Sequence, residues 1–216
     1  MGKNLIGSFY QPRFVLTDIS VLSTLPEEEY ICGLGEIVKY GIMRDEKLFS
    51  LLEENLDAVF QKDNNLLYKI VKTCSQIKAT IVSKDERESG IRAILNFGHT
   101  FGHALETHYG YLGLKHGQAV ILGMKCAVAV SERLNIIESD ASTRIKTLIN
   151  KFEIKLPGKA NSFNLKELVS IMKNDKKVRE GKINLILVKD ISDVVHLPIE
   201  DESLLEEGFS VLDIRM

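Results

Sequence analysis

The sequence predicts a mainly α, multi-helical fold with a small β-hairpin, and three observations support this prediction. Apolar residues recur at helical spacing in most segments between residues 26 and 173. Residues 182–188 and 194–197 are short apolar runs on either side of turn residues, which is typical of a hairpin. No strand leads into a glycine-rich phosphate loop, so the sequence carries no dinucleotide-binding fingerprint.

The elements are predicted in a simple order along the chain. We expect residues 1–22 to form an interdomain segment with a short strand at 14–18, and residues 23–216 to form the helical domain. Pro26 and the glutamates after it indicate a helix start, because acidic side chains are favourable near the positive end of the helix dipole. The predicted helices span residues 26–40, 48–60, 64–83, 96–106, 117–134, 139–152 and 164–173, with a last helix from residue 204.

Composition and charge exclude several classes of function. The chain has 216 residues, of which 44% are hydrophobic and 27% charged, as in ordinary soluble globular proteins. A formal net charge of -2 gives no electrostatic reason to expect nucleic acid or an anionic membrane as a partner. No segment approaches the ~18 consecutive apolar residues of a membrane span. Cys32, Cys74 and Cys126 are far apart in apolar helical patterns, which predicts reduced core thiols in a cytoplasmic protein.

The stretch 96–106 is where the sequence most strongly indicates chemistry. His99 and His103 are four residues apart, so on a helix both imidazoles project from one face, with Glu106 on the next turn. His116 follows at the start of the next apolar helix. These three histidines, with His108 between them, therefore place four of the five histidines of the chain in one short region.

Two glycines interrupt the same predicted helix. Gly98 and Gly102 each cost roughly 1 kcal/mol relative to alanine in a helix interior, so their presence needs a reason. We expect a ligand or another backbone to approach closely at these positions.

A metal site is the sharpest hypothesis for these residues. A catalytic zinc ion takes three protein ligands and leaves one position open, and Glu36, His99 and His116 could supply that set from three helices. His99 and His103 are the rival pair by spacing, although Thr100 stands where the zincin motif requires glutamate. Spacing alone leaves His103 open as a ligand or as an acid–base group. The structural alternative is a set of histidines that are hydrogen-bonded within a helical core.

Basic residues offer a second, weaker indication. Lys78, Arg92 and Lys176 could converge on an anion, and the guanidinium of Arg92 suits bidentate binding of a carboxylate or phosphate. Most lysines on helices are solvated, and 28 basic residues make chance clusters common. Asn96 is better placed, one turn before His99 on the predicted helix.

Three motifs together resemble one enzyme family. Residues 33–41, 96–103 and 116–120 are similar to the 3-dehydroquinate synthases of the shikimate pathway, which leads to the aromatic amino acids. Shorter similarities extend the resemblance over nearly the whole chain in the same order, at residues 3–7, 11–12, 24–26, 85–88 and 175–178. The resemblance implies the multi-helical C-terminal domain of the dehydroquinate synthase-like fold. In that family an NAD-binding α/β domain comes first, and we expect that domain to be absent from this chain.

The resemblance implies a lyase that depends on NAD and on zinc, or on cobalt in its place. The family converts 3-deoxy-arabino-heptulosonate 7-phosphate into 3-dehydroquinate and phosphate. NAD transiently oxidises the C5 hydroxyl, which acidifies the neighbouring C–H and permits elimination of phosphate. Hydride is then returned, the ring opens and an intramolecular aldol step closes the carbocycle. The implied partners are a small sugar phosphate, the preceding NAD-binding domain and, in the full-length enzyme, a second subunit of a homodimer.

The resemblance also implies a role for individual residues. Glu36, His99 and His116 match the metal ligands, so on this resemblance His103 is a proton-transfer residue and not a ligand. With His103, the residues expected to act in catalysis are Lys39 and Asn96, and those expected to bind substrate are Asn4, Lys78, Arg92 and Lys176. The residues that match this domain's part of the NAD site are Lys3, Val21, Leu22, Ser23 and Thr24. The sequence departs from many relatives at Gln118, where they carry glutamate.

Two other interpretations remain. Sugar phosphate cyclases that make 2-deoxy-scyllo-inosose or valiolones share the metal set and the cofactor, but they tend to differ at the residues that bind carboxylate and phosphate. Arg92, Asn96 and His103 therefore favour the shikimate enzyme. The other alternative is a non-catalytic helical domain that binds metal without turnover.

Overall fold

A computed structural model describes residues 10–86, 90–111, 113–157, 164–174 and 182–212. The α-helices are α1 (Glu27–Arg44), α2 (Glu46–Phe60), α3 (Asn64–Lys84), α4 (His99–His108), α5 (His116–Arg133), α6 (Ser139–Asn150), α7 (Leu165–Asn174) and α8 (Glu202–Ser210). Two short 3₁₀ helices, η1 (Ile19–Thr24) and η2 (Ile91–Asn96), precede α1 and α4. The strands β1 (Ile183–Asp190) and β2 (Asp193–Ile199) form one antiparallel hairpin. The prediction of a mainly α fold with a small hairpin is confirmed.

Helix α5 lies at the centre of the fold. It packs against α1, α4, α6, α8 and β1, and most of its side chains are buried. A helix that is apolar on nearly every side is stable only when other elements surround it. Within the described residues no helix has both the length and the apolar character needed to cross a bilayer.

Glycines bring the backbones of α1, α4 and α5 into direct contact. A Cβ atom on Gly117 of α5 would lie 2.2 Å from the carbonyl oxygen of Cys32 in α1. A Cβ on Gly123 would lie 1.9 Å from the carbonyl oxygen of Gly98, and one on Gly102 would lie 3.0 Å from that of Ala119. The close approach expected at Gly98 and Gly102 is thus made by the backbone of α5.

The hairpin packs one strand onto the helical core. Strand β1 is mostly buried, and its register with β2 pairs Ile183 with Ile199 and Val188 with Val194. The buried hydroxyl of Ser131 in α5 accepts the backbone N–H of Val188 at 3.0 Å. This hydrogen bond fixes the hairpin against the central helix.

The predicted strand at 14–18 is wrong. These residues have no strand partner among the described residues, and the side chains of Phe14, Val15 and Leu16 are exposed. A strand needs a neighbouring strand to accept and donate its backbone hydrogen bonds, so an apolar, β-branched segment remains unpaired without one.

The cysteine prediction holds in part, since Cys126 is buried whereas Cys32 and Cys74 are half-buried; all three are free thiols.

The predicted helix at 96–106 is also wrong in its first part. Gly98 has φ +76°, a left-handed conformation that suits glycine, and α4 begins only at His99. Asn96 therefore lies at the end of η2 and does not share a helix with His99. Gly98 separates the two elements and turns the chain between them.

Replacing Gly123 with alanine should destabilise the protein, because the new methyl group would overlap the Gly98 carbonyl oxygen. We expect the free energy of unfolding to fall by about 1–3 kcal/mol, the usual cost of overpacking. Urea unfolding followed by circular dichroism, in the presence of a chelator, measures the change.

Gly33→Ala is the matched control, since Gly33 lies inside α1 and a Cβ there would meet no atom within 4 Å. That substitution should raise the free energy of unfolding by up to about 1 kcal/mol through helix propensity. Equal stability of the Gly123→Ala variant and the unmodified chain would contradict this account of the helix contacts.

Candidate metal centre

Three helices bring one carboxylate and two imidazoles together. Glu36 is in the middle of α1, His99 is the first residue of α4 and His116 is the first residue of α5. The Nε2 atom of His99 lies 3.5 Å from Oε1 of Glu36, and the Nε2 atom of His116 lies 3.9 Å from the same oxygen. The structure therefore brings together the three predicted metal ligands, and their role as ligands stays a prediction.

The second nitrogen of each imidazole has its own partner. Nδ1 of His99 lies 3.2 Å from the carbonyl oxygen of Phe97, and Nδ1 of His116 lies 3.1 Å from Oε2 of Glu106. A carbonyl oxygen and a carboxylate oxygen are acceptors, so we assign the ring proton to Nδ1 in both histidines. Each Nε2 then presents a lone pair toward Glu36.

The site formed by Glu36, His99 and His116 therefore holds three hydrogen-bond acceptor atoms that face one another, namely Oε1 of Glu36 and the two Nε2 atoms. Oε1 of Glu36 is buried and has no hydrogen-bond partner among the described residues. A buried oxygen of this kind is costly unless it is paired or coordinates a metal. In tetrahedral zinc sites with ligand bonds of about 2.1 Å, neighbouring ligand atoms lie roughly 3.4 Å apart. The observed separations fit a divalent cation among these atoms.

His99 is held in the form that binds metals. Burial lowers the pKa of His99 to about 2, and the nearby positive charge of Lys39 acts in the same direction. The hydrogen bond to Phe97 opposes these effects without overcoming them. His99 is therefore neutral near pH 7, as a ligand imidazole must be.

Lys39 occupies the other oxygen of the same carboxylate. Its Nζ atom lies 2.6 Å from Oε2 of Glu36, and the residue is 2% exposed. Burial lowers the pKa of Lys39, the charge of Glu36 opposes that shift, and the charge of Lys78 adds to it. Glu36 thus divides its two oxygens between a buried ammonium group and the histidines, and Lys78 on α3 is near enough to act on Lys39.

His103 lies beside this centre, one turn after His99. The centroid of its ring is 5.6 Å from that of His99 and 6.1 Å from that of His116. His103, Glu106 and His116 form a second group whose possible ligand atoms lie within 4.8 Å of one another. The structure places His103 with the other two histidines, and its role as a proton-transfer group stays a prediction.

Arg92 and Asn96 lie on η2, which packs between α1, α3 and the hairpin. The guanidinium of Arg92 donates to the carbonyl oxygen of Glu86 at 2.8 Å. The carboxylate of Asp85 accepts the backbone N–H groups of Gly90 and Arg92 at 2.8 and 3.0 Å. Asp85, which sequence reasoning missed, thereby anchors η2 to the end of α3, the helix that carries Lys78.

The residues expected to contact NAD lie on η1 at the surface. The hydroxyls of Ser23 and Thr24 donate within the helix, to the carbonyl oxygens of Ser20 and Val21. The carbonyl oxygen of Leu22 accepts from Nζ of Lys62 at 2.8 Å. Three predicted site residues lie outside the described residues, namely Lys3, Asn4 and Lys176.

Sequence reasoning assigned no function to two polar residues near the centre. The sequence predicts Glu106 on the turn after His103, but only the structure shows that its carboxylate is nearly buried and therefore needs a partner. Gln118 accepts the backbone N–H of Lys115 with its side-chain oxygen at 3.1 Å, and so caps the start of α5. An amide oxygen accepts that N–H as a carboxylate would, so glutamine is compatible with this capping role.

Comparison with known proteins gives the chain a family. The sequence pattern of "3-dehydroquinate synthase C-terminal" matches residues 33–178, and that of "3-dehydroquinate synthase N-terminal" matches residues 1–32. The chain is 42% identical over 204 residues to the 3-dehydroquinate synthase of Geotalea uraniireducens, covering 94% of this chain and 56% of that enzyme. It is 43% identical over 194 residues to the enzyme of Psychrobacter cryohalolentis, covering 90% of this chain and 52% of that enzyme. The chain thus spans about half the length of these relatives.

Solved structures of related cyclases share the fold. The 2-epi-5-epi-valiolone synthase of Streptomyces hygroscopicus, solved with NAD+ and Zn2+, aligns with a TM-score of 0.83 at 21% identity, over 97% of this chain and 58% of that one. A 2-deoxy-scyllo-inosose synthase, solved with carbaglucose-6-phosphate, NAD+ and Co2+, aligns with a TM-score of 0.80 at 25% identity, over 96% of this chain and 58% of that one. From the matched family patterns and the sequence identities, the chain belongs to the 3-dehydroquinate synthase family.

Proposed function

We propose that this protein is a 3-dehydroquinate synthase, a lyase that converts 3-deoxy-arabino-heptulosonate 7-phosphate into 3-dehydroquinate and phosphate. The observation that carries the proposal is the convergence of Glu36, His99 and His116 with three acceptor atoms facing one another. Family membership supports it, as do the metal ion and NAD+ in the valiolone and deoxyinosose synthases. The proposal places the enzyme in the cytoplasm, in the biosynthesis of aromatic amino acids.

Glu36, His99 and His116 would hold a zinc ion, or cobalt in its place. Such an ion supplies a Lewis acid that stabilises negative charge on substrate hydroxyls, and NAD supplies a transient hydride acceptor. The arrangement of this chain supports the assignment, since Lys39 takes one oxygen of Glu36 and leaves the other for the ion. In this proposal the Lys39 ammonium also acts in catalysis, together with Asn96.

His103 would transfer a proton at the substrate. The ring of His103 lies near those of His99 and His116. However, the group of possible ligand atoms that includes Glu36 contains His99 and His116 and does not contain His103. A histidine close to a substrate hydroxyl is a suitable acid–base group, because the ordinary pKa of an imidazole is close to neutral pH.

The substrate's carboxylate and phosphate call for cationic donors at some distance from the ion. We assign this function to Lys78 and Arg92 in the described residues and to Lys176 outside them. Asn4, also outside the described residues, would bind substrate as a neutral donor or acceptor. Arginine is suited to a carboxylate because its planar fork donates two parallel hydrogen bonds. A heptulosonate phosphate offers both anionic groups to such residues.

We further propose that residues 1–22 connect the helical domain of residues 23–216 to a preceding NAD-binding domain. Lys3 and residues 21–24 would contribute the helical domain's part of the NAD pocket. The full-length enzyme would be a homodimer. Relatives almost twice as long as the matched region support this division of the site.

The metal assignment predicts different outcomes for two neighbouring histidines. His99→Ala should abolish stoichiometric zinc binding by the 216-residue polypeptide, because it removes a ligand atom from a three-residue set. His103→Ala should retain zinc, because the proposed ligand set does not include it. Elemental analysis after dialysis against metal-free buffer measures the content of each variant.

The two variants are a matched pair, since both remove an imidazole from the same face of α4. Thermal unfolding of the metal-free proteins controls for misfolding. Equal loss of zinc from both variants would count against the ligand set, and retention of zinc by His99→Ala would refute it.

Turnover gives a separate test of the enzyme assignment. The 216-residue polypeptide supplied with zinc and NAD should release no phosphate from 3-deoxy-arabino-heptulosonate 7-phosphate, because most of the NAD pocket would belong to the preceding domain. A chimera that joins the corresponding N-terminal part of the Geotalea uraniireducens enzyme to this chain should release phosphate. Phosphate release is measured by a coupled colorimetric assay, with that full-length enzyme as the positive control.

The substrate range of the chimera distinguishes the alternatives. Release from a hexose 6-phosphate but not from the heptulosonate would indicate a cyclase of the deoxyinosose type. A chimera that binds zinc and NAD yet releases phosphate from neither would contradict both the shikimate and the deoxyinosose assignments, and is the outcome expected of a non-catalytic metal-binding domain. Release by the purified 216-residue polypeptide alone would refute the division of the NAD site.

A further inference from the structure

The carboxylate of Glu106 links α4 to the first residue of α5. Its Oε2 atom lies 3.1 Å from Nδ1 of His116, ten residues further along the chain. Glu106 is nearly buried, and backbone contact at Gly102 holds the two helices together on the same side. The hydrogen bond therefore joins two rigid elements and does not depend on the loop between them.

The two candidate ligand histidines differ in how tightly their surroundings hold them. The side chain of His99 is 12% exposed, whereas that of His116 is 45% exposed. Packing therefore restricts the ring of His99, and the carbonyl oxygen of Phe97 holds its Nδ1. For the half-exposed ring of His116, packing is incomplete and a hydrogen bond has to set the orientation.

We infer that Glu106 is a positioning residue for His116, and this inference rests on the proposed metal centre. By accepting the Nδ1 proton, the carboxylate fixes the tautomer and turns Nε2 toward Oε1 of Glu36. A carboxylate behind a ligand histidine also makes the imidazole a stronger donor to the metal. His99 and His116 would then have equivalent roles with different outer partners, one a backbone carbonyl and one a side chain.

The direct alternative is that Glu106 itself binds the ion, in the group with His103 and His116. The geometry favours a positioning role. Glu106 Oε2 already lies at hydrogen-bond distance from a ring nitrogen, whereas Glu36 Oε1 is the buried oxygen without a hydrogen-bond partner in the described part of the chain. The oxygen that still needs a cation belongs to Glu36.

The test measures the affinity of the metal-free 216-residue polypeptide for Co2+, by competition with a chromophoric chelator. Glu106→Ala should weaken binding by about 10–100-fold, the usual effect of removing an outer partner of a ligand. Glu106→Gln should lose less, because the amide oxygen still accepts the Nδ1 proton. Glu36→Ala should abolish binding, since it removes a ligand. Glu53→Ala, which removes a half-buried carboxylate paired with Arg144, should leave the affinity unchanged.

A second measurement reports the tautomer without any metal. The ¹⁵N chemical shifts of His116 in the metal-free chain should show a protonated Nδ1 and an unprotonated Nε2. In Glu106→Ala the same shifts should move toward a mixture of tautomers, and in Glu106→Gln they should stay near those of the unmodified chain. A purely structural role of Glu106 would leave these shifts unchanged in any variant that folds.

Two results would overturn the inference. One is an affinity and a tautomer in Glu106→Ala that equal those of the unmodified chain. The other is loss of Co2+ from Glu106→Ala and His103→Ala as complete as that from Glu36→Ala, which would make Glu106 a ligand. Absence of Co2+ binding by the unmodified chain would instead refute the metal centre, and the ¹⁵N shifts would still decide whether Glu106 orients His116.

Discussion

Close backbone contact between α5 and its neighbours is the constraint on which the arrangement of the site depends. Each proposed ligand is adjacent in sequence to a glycine at one of these contacts, as the pairs Gly35–Glu36, Gly98–His99 and His116–Gly117 show. A Cβ on Gly35 would lie 2.8 Å from the carbonyl oxygen of Gly117, so α1 and α5 touch one residue away from the proposed ligands Glu36 and His116. Because the helices touch there, the three side chains project into one small volume.

The fold was predictable because its elements carry strong local signals. Helical periodicity, the glutamates after Pro26 and the apolar runs of the hairpin each depend on neighbouring residues, and α1 and the hairpin lie where these patterns place them. The two errors arose where tertiary structure, and not the neighbouring residues, determines the local conformation of the backbone. Residues 14–18 have a strand-like composition without a strand partner among the described residues, and the left-handed conformation of Gly98 starts α4 later than periodicity suggests.

The site was predictable only in part, for a related reason. Spacing can show that His99 and His103 share a helix face, but it carries no information about which imidazole meets a carboxylate from α1. Which imidazole meets that carboxylate depends on how α1, α4 and α5 cross. The family resemblance, rather than the spacing, indicated that it is His99 and not His103. The hydrogen bond between Glu106 and His116 was beyond sequence reasoning, because it joins two helices whose relative rotation no periodicity specifies.

The uneven burial of the proposed ligands has a consequence for exchange of a metal ion with solvent. His99 is the inner histidine, whereas nearly half of the His116 side chain is exposed; the Glu36 side chain lies between these extremes, with its Oε1 atom buried. In the proposed metal centre, an incoming ion would therefore reach His116 first and would give up its hydration shell in steps as it passes to His99. Departure would follow the same path in reverse, so the solvent-facing imidazole would govern the lifetime of the proposed bound ion.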